Sequence, residues 1–567
     1  MVKNMKKMNE IKTRDELADF LRIERKTLTY VLYKMHIESY YTSFEIPKKN
    51  GGKRKIDAPR GILKMIQKKL SYELYKYKDD FSKENKIKVN ISHAFEKRKN
   101  IISNAFVHKN KKYIVNFDLE NFFDSFHFGR VKGFFMKNKY FEMPLEVATI
   151  IAQLTCYNGK LPQGAPTSPI ISNLICNVLD YKILALAKKY RLDYTRYADD
   201  LTFSTNDKNF LENYEKFYES LNKIIINNGF KLNIKKTRLI YKDSKQTVTG
   251  LVVNKKINID YEYYKRVRAM AHNLYKNNKF YIDGKEGTIN ELEGRFSYIN
   301  VIDKYNNKLN NEIIKVKTFK EFNSREKEFQ KFLFFKKFYN NDKPIIVTEG
   351  KTDIIYIKSA LKNLYKDYPE LIEKDSDGNF RYKIDFLKRS KRLRYFFYIS
   401  IDGADAMNKL YMFFNECNNK ECPNYLKYFN KLTGNKPKNP VILIFDNEIK
   451  NSEKPLKKFI NHNHINSKKF YNGGYEKLDN ESNVFLVTHQ LVKNKDECEI
   501  EDLFKEEVLK HKINGKEFTT DSKFDIDKYY GKEHFSKYIS SNYENIDFSD
   551  FKFLLNQIKE IVINNKH

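Results

Sequence analysis

Hydrophobic and polar positions alternate in two rhythms along this chain, and the changes of rhythm mark its parts. Over residues 13–35, Leu17, Phe20, Leu21, Leu28, Val31 and Leu32 recur at helical spacing, with Thr13 and Glu16 at capping-box spacing. This predicts a packing helix, with a nucleic-acid-reading helix as the alternative. Phe44-Glu45-Ile46-Pro47, a Gly51-Gly52 turn and Lys53-Arg54-Lys55-Ile56 predict a hairpin with one cationic strand. Residues 62–77 read as helix. Tyr113-Ile114-Val115-Asn116-Phe117 predicts a strand that ends at Asp118. A Pro/Gly-punctuated loop over residues 161–169 leads into an apolar helix over 170–187. Two β-prone runs over residues 194–203 flank Ala198-Asp199-Asp200, which predicts a hairpin with two carboxylates at its turn. Strands and turns continue over residues 230–253, and residues 261–339 read as mostly helical and basic.

The pattern changes near residue 341, where a domain boundary is expected. Residues 344–348 form a short apolar run ending at Glu349-Gly350, and Ile354, Ile357, Ala360 and Leu361 mark an amphipathic helix after it. Residues 395–401 predict a second apolar strand closed by Asp402-Gly403, and residues 441–445 a third closed by Asp446-Asn447-Glu448. Strands alternating with helices indicate a parallel sheet, whose working edge lies at the carboxyl ends of its strands. Residues 450–479 read as a polar, mobile excursion, and residues 551–563 as an amphipathic helix.

Charge narrows the partners. With 106 Lys+Arg against 73 Asp+Glu, the 567-residue chain carries a net charge of +33, which points to a polyanion, nucleic acid first. Forty Tyr and 44 Phe among basic residues suit base stacking, although AT-rich coding accounts for part of both signals. Cys156, Cys176, Cys417, Cys422 and Cys498 are too irregular for a disulfide framework or a zinc knuckle. The first ten residues lead into no apolar run, and no segment is expected to span a bilayer, so a reduced, cytoplasmic setting is the expectation.

Candidate chemistry follows from the carboxylates. If the stretches bearing Asp118, Asp199 and Asp200 share one sheet, three carboxylates gather where two metal ions can bind. All-oxygen ligands suit Mg²⁺, with Mn²⁺ as an alternative. One ion would activate a primer hydroxyl and the other neutralise leaving pyrophosphate. Taken alone, Asp199-Asp200 is a solvated acidic turn.

The motifs in order carry a resemblance. Asp118, Tyr197-Ala198-Asp199-Asp200, Leu161-Pro162-Gln163-Gly164 and Arg54 resemble the palm and fingers motifs of a reverse transcriptase. The resemblance implies that Arg54, Gln163 and Gly164 attend the incoming nucleotide. It implies that Phe123 is the aromatic gate that crowds a ribose 2′-hydroxyl. Asn104-Ala105-Phe106-Val107-His108 and Val248-Thr249-Gly250 are similar to two signatures of retron reverse transcriptases. Membership implies RNA contacts at Asn104, His108, Val248, Thr249 and Gly250. It also implies a cognate non-coding RNA partner, deoxynucleotide substrates, and a branched RNA–DNA product (msDNA) started from a guanosine 2′-hydroxyl.

A second resemblance covers the C-terminal half. Glu349-Gly350-Lys351-Thr352-Asp353 and Asp446-x-Glu448 resemble a TOPRIM domain, with Glu448 standing where an Asp is usual. The resemblance implies Glu349 in acid–base or metal chemistry and Asp446 and Glu448 on Mg²⁺. Lys351, Asp353, Glu499, Glu501 and Asp502 are candidate accessory groups; a solvated acidic surface is the alternative. The expected fold is an α+β right-hand polymerase followed by an α/β, Rossmann-like TOPRIM domain. Its expected parts are fingers and palm over 1–254, thumb over 255–340, TOPRIM over 341–510 and a helical extension over 511–567. The expected function is retron RNA-directed DNA synthesis, with a TOPRIM nuclease effector restrained by the msDNA in antiphage defence. A mobile-element reverse transcriptase, or an inactive TOPRIM scaffold that binds nucleic acid or organises a homo-oligomer, are the alternatives.

Overall fold

The first helical pattern resolves into two helices, Arg14–Phe20 and Arg25–Tyr33, because Arg22 adopts the left-handed region (φ 51°) between them. Thr13 caps the first by accepting from the Glu16 N–H (3.3 Å). The structure, a computed structural model, describes residues 7–48, 51–87, 91–309, 319–399, 405–415, 422–521 and 523–565. It divides into two units, Met1–Asp260 and Tyr261–His567.

The first unit is built around a four-stranded antiparallel sheet in the order Asp193–Tyr197, Asp200–Thr205, Tyr113–Asp118, Arg238–Tyr241. The apolar helix Ser168–Lys189 and the amphipathic helix Tyr214–Asn227 contribute Leu179, Ile183, Phe217 and Leu221 to one buried cluster with Phe117 and Phe203 of the sheet. Ser168–Lys189 is long and apolar enough, by length and composition, to cross a bilayer, counter to the expectation from sequence; here its apolar side chains fill the core. The cationic hairpin forms as expected, Tyr41–Pro47 against Lys53–Pro59, with Arg54 opposite Ile46. Residues 49 and 50 of its turn lie outside the described residues.

The second unit contains the helices Tyr261–Asn277, Ile289–Leu309 and Ser324–Phe334 and a five-stranded sheet. The helices read as a thumb over 255–340 group with the sheet that follows them, and the division at 260/261 lies close to the expected end of the palm at residue 254. Phe329, Phe332 and Phe334 supply the reason: they are buried against rings such as Phe396 and Phe429 of the same unit.

The sheet order is Asp385–Phe386, Ile345–Thr348, Val441–Phe445, Val484–Thr488, Gly474–Lys477. The first four strands are parallel and the last is antiparallel. Ile345–Thr348, Val441–Phe445 and Val484–Thr488 are buried at every position, as a parallel sheet covered on both faces requires. The final helix, Lys552–Asn564, places Leu554, Leu555 and Ile558 in the same core as Ile346, Ile442 and Val487.

Two expectations are corrected here. Residues 395–397 belong to a helix, Lys391–Phe397, capped by the Ser390 hydroxyl and ended by Tyr398 at φ 56°. A short aromatic run has no periodicity that separates a strand from a buried helix. Asp402-Gly403 lies outside the described residues. The polar stretch 450–479 is no loose excursion: it holds the helix Pro455–His462, whose Phe459 is buried, and the edge strand Gly474–Lys477.

Candidate functional site

The first centre forms where the Asp193–Tyr197 and Asp200–Thr205 strands turn. Ala198 adopts φ 57°, which folds the chain back tightly enough to set Asp199 and Asp200 side by side. Asp200 pairs in register with Asp118 on the neighbouring strand. The backbone is stitched across this edge: the Leu119 N–H donates to the Asp199 carbonyl (3.0 Å), and the Asn233 N–H to the Asp118 carbonyl (2.8 Å). Backbone register thus places Asp118, Asp199 and Asp200 at one end of the sheet.

Their electrostatics are those of a site short of positive charge. Burial first, then Asp199 and Asp118, push the Asp200 carboxyl up to about 7. Asp199 is raised by burial and by Asp118, and held down in part by Lys236 and Arg54. The Lys236 ammonium donates to both oxygens of Asp118 (3.0 and 2.8 Å). Among the described residues no three His, Cys, Asp or Glu side chains stand close enough to hold a metal in this arrangement. The donor set nonetheless fits a hard divalent cation, because a bound ion would offset the burial and the repulsion that raise both carboxyls.

The elements flanking this edge are joined. The Asp57 N–H donates to the Gln163 carbonyl (2.8 Å). Gly164, at φ 124°, lets the loop lie against the cationic strand, since a Cβ there would come within 2.9 Å of Ile56 Cγ2 and 3.0 Å of the Asp57 carbonyl. The exposed Arg54 and the Gln163 loop are therefore parts of one surface. Phe123 is half-buried, its ring edge-on to Phe122 (5.3 Å).

The second centre lies at the carboxyl edge of the parallel sheet. Glu349, Asp446 and His489 each follow one of three adjacent strands. The Asp446 N–H donates to Glu349 (3.0 Å), the Ile500 N–H to Asp446 (2.9 Å) and the Gly350 N–H to Asp353 (2.8 Å). Burial and then Asp446 hold the Glu349 carboxyl well above its usual range and Asp353 at about 6. Glu501 is 2% exposed and pushed up to about 8 by burial, against the pull of Lys532. Lys532 donates to Glu499 (2.9 Å) and Glu501 (3.1 Å), and Lys454 to Glu448 (2.5 Å). Glu349, Asp353, Asp446, Glu448 and Glu501 are thus brought together. Two candidates are not: Lys351 is an exposed partner of Glu533 (3.4 Å), and Asp502 caps the turn at the Glu499 N–H (3.0 Å) while pairing with Lys495 (2.6 Å).

Residues 46–258 match the family model for reverse transcriptase (RNA-dependent DNA polymerase). The Escherichia coli retron Ec86 reverse transcriptase is 34% identical over 291 residues, which is 51% of this chain and 84% of the relative. The chain belongs to the retron reverse transcriptase family. The E. coli retron Ec73 enzyme is 31% identical, over 46% of this chain and 83% of its own. The Myxococcus xanthus retron Mx162 enzyme is 29% identical, over 52% of this chain and 65% of its own. The first unit, which holds the whole family match, thus has the polymerase fold of a reverse transcriptase.

The family signatures read as RNA contacts occupy other positions in this reverse transcriptase. Asn104, His108 and Val248 are buried, which corrects the expectation that they touch RNA. His108 bridges the two strands of the Asp199-Asp200 hairpin, to Ser204 Oγ and Thr195 Oγ1 (both 2.7 Å), and burial pushes it down to about 3, so it is neutral. Thr249, at φ 46°, donates to the Ile101 carbonyl (3.2 Å) and so ties the Val248-Thr249-Gly250 turn to the helix that carries Asn104. Of this group Gly250 is exposed.

Four site residues escaped the sequence reading: Arg196, Lys236, His489 and Lys532. Arg196 adjoins a recognised motif, Lys236 lies far from one in sequence, and neither carried a periodic signal. His489 is buried, its Nε2 3.6 Å from Asp446. Lys532 reaches its partners from a helix that begins well after them in sequence.

Proposed function

We propose that this reverse transcriptase copies a cognate retron RNA into a branched RNA–DNA product. In this reading Asp118, Asp199 and Asp200 hold Mg²⁺. The observation that carries it is the register of Asp118 with Asp200 beside the Ala198 turn, where burial and mutual repulsion raise two carboxyls. Bound there, the ions supply charge for the attacking hydroxyl and the leaving pyrophosphate. The chain's own groups do the rest. Arg54 presents a fork of donors to the triphosphate of an incoming deoxynucleotide. The Gln163-Gly164 loop, stitched to the same strand, lies beneath it. The Phe123 ring crowds the position a 2′-hydroxyl would take. Lys236 holds Asp118 in place and gives it up as cations enter. Combined replacement Asp199→Ala with Asp200→Ala removes DNA synthesis, by at least about 10³-fold if metal charge is worth several kcal/mol. Branched DNA made by that variant refutes the assignment.

For the second unit we propose a TOPRIM domain whose Glu349, Asp446 and Glu448 cleave phosphodiesters with Mg²⁺, restrained by the RNA–DNA product in defence against phage. A second reading rests on Lys454 and Lys532, which already neutralise Glu448 and Glu501: the unit binds nucleic acid or organises an oligomer without cleaving. Glu349→Ala decides between them. Loss of cleavage and toxicity, with DNA synthesis intact, supports the nuclease; cleavage at the wild-type rate removes Glu349 from the chemistry.

A further inference from the structure

Arg196 is the residue before the Tyr197-Ala198-Asp199-Asp200 turn, and none of its surface is exposed. An arginine this deep is costly unless every donor is used. Nε donates to Asp180 Oδ1 (2.9 Å), and Nη2 to Asp180 Oδ2 (2.9 Å) and Asn173 Oδ1 (3.2 Å). The remaining arm of the fork, Nη1, donates to the carbonyl of Ala198 (3.2 Å). Asp180 and Asn173 both belong to the helix Ser168–Lys189. Each is fixed in turn: the Tyr194 hydroxyl donates to Asp180 (3.0 Å), and Asn173 donates to the Ala94 carbonyl (2.9 Å). The Arg196 backbone is held as well, its N–H donating to the Ile91 carbonyl (3.3 Å) and its carbonyl accepting from the His93 N–H (2.8 Å).

The residue that receives Nη1 is the strained one. Left-handed backbone at a residue with a Cβ costs roughly 1–2 kcal/mol and persists where the surroundings hold it. We propose that Arg196, anchored by Asp180, is a positioning residue that locks Ala198 in this conformation and thereby aims Asp199 and Asp200 at their cation. The proposal rests on the reading of those carboxylates as metal ligands. It concerns geometry rather than charge. The Arg196 charge is matched by Asp180, and the charges that act on Asp199 are those of Asp118, Lys236 and Arg54. Lysine cannot substitute, because a single ammonium cannot serve a carboxylate and a carbonyl on opposite arms of a planar fork.

The test uses the full chain and reads DNA synthesis on a primed template against Mg²⁺ concentration. The variants are Arg196→Lys and the paired Arg196→Met with Asp180→Leu, which removes both buried charges together and spares most of the stability cost of breaking the pair. Both variants are expected to need about tenfold more Mg²⁺ for half-maximal rate. At saturating Mg²⁺ kcat is expected to fall on the order of 10²-fold, as for an ångström-scale misplacement. Template affinity stays within about twofold, because the expected effect is on kcat. The Mg²⁺ half-saturation does not depend on the folded fraction, so destabilised variants still report. A wild-type Mg²⁺ requirement in either variant overturns the proposal, as does full rescue by lysine. Asp199→Asn is the control on the underlying reading: if it alone keeps synthesis, the metal assignment fails and the clamp is not what was at fault.

Discussion

The two carboxylate centres of this chain solve the same electrostatic problem with different architecture. In the first, Asp118, Asp199 and Asp200 lie on adjacent antiparallel strands and the turn between two of them, and their repulsion is met by the partly exposed Lys236 ammonium and, at Asp199, by Arg54. In the second, the acids sit at the ends of parallel strands and in the loops beyond. Backbone N–H groups bind Glu349, Asp353 and Asp446, while Lys454 and Lys532 neutralise the others. The first centre is underpaired and open to an incoming cation. The second is already largely paired from within. An antiparallel hairpin brings its acids together by register alone, whereas a parallel sheet collects them from separated loops and has room to collect their counter-charges too.

The widest gap between the centres should appear on removing their lysines. Lys532→Met leaves Glu499 and the buried Glu501 without their ammonium. Since the lysine and Glu499 are each about a third exposed and Glu501, at about 8, is mostly protonated at neutral pH, the loss should be that of hydrogen bonds to a charged donor, about 1.5–3 kcal/mol. Lys236→Met, at an ammonium 56% exposed, should cost under about 1 kcal/mol. Denaturant unfolding followed separately for each unit checks this, and equal losses would break the comparison. A smaller effect tests how tightly the surroundings of the first centre are joined. Gly164→Ala forces a Cβ against Ile56 and Asp57 at a positive φ, and should cost about 1–3 kcal/mol and weaken deoxynucleotide binding.

The first unit also carries a pH dependence. His108 is held neutral, with a folded pKa of about 3 against about 6.5 unfolded. Its contribution is therefore complete above pH 6.5 and is lost as pH falls below that value. The slope reaches about 1.4 kcal/mol per pH unit. His93, pushed down to about 4 by burial, loses stability over the same window, and Asp200, raised to about 7, opposes both, so melting of the first unit between pH 7 and pH 5 should become less pH-dependent in His108→Gln than in the wild type. An unchanged slope would place the titrating group elsewhere.

The parts of this picture that sequence disclosed are the parts with local signals. The strand before Asp118 and the hairpin around Ala198-Asp199-Asp200 carry β-prone runs and a turn. Val441–Phe445 is a pure apolar run, the mark of a strand buried on both faces. What stayed hidden depended on tertiary partners. His108 and Arg196 are polar residues with no exposed surface, and polarity in a sequence ordinarily argues for solvent. The aromatic run at residues 395–397 is equally compatible with strand and helix, and helix prevailed once Ser390 supplied a cap. The place of residues 261–339 was fixed by ring contacts to residues such as Phe429, and a linear pattern holds no record of those.

The position of the last helix sets an order in time. Every strand and carboxylate of the first centre precedes residue 260, so that unit can close as soon as its own residues leave the ribosome. The second core waits for Leu554, Leu555, Ile558 and Ile561 of the helix Lys552–Asn564. At about 5–20 residues per second those arrive roughly 15–60 s later. A newly made chain therefore has a folded polymerase unit for a substantial interval before its second centre is assembled.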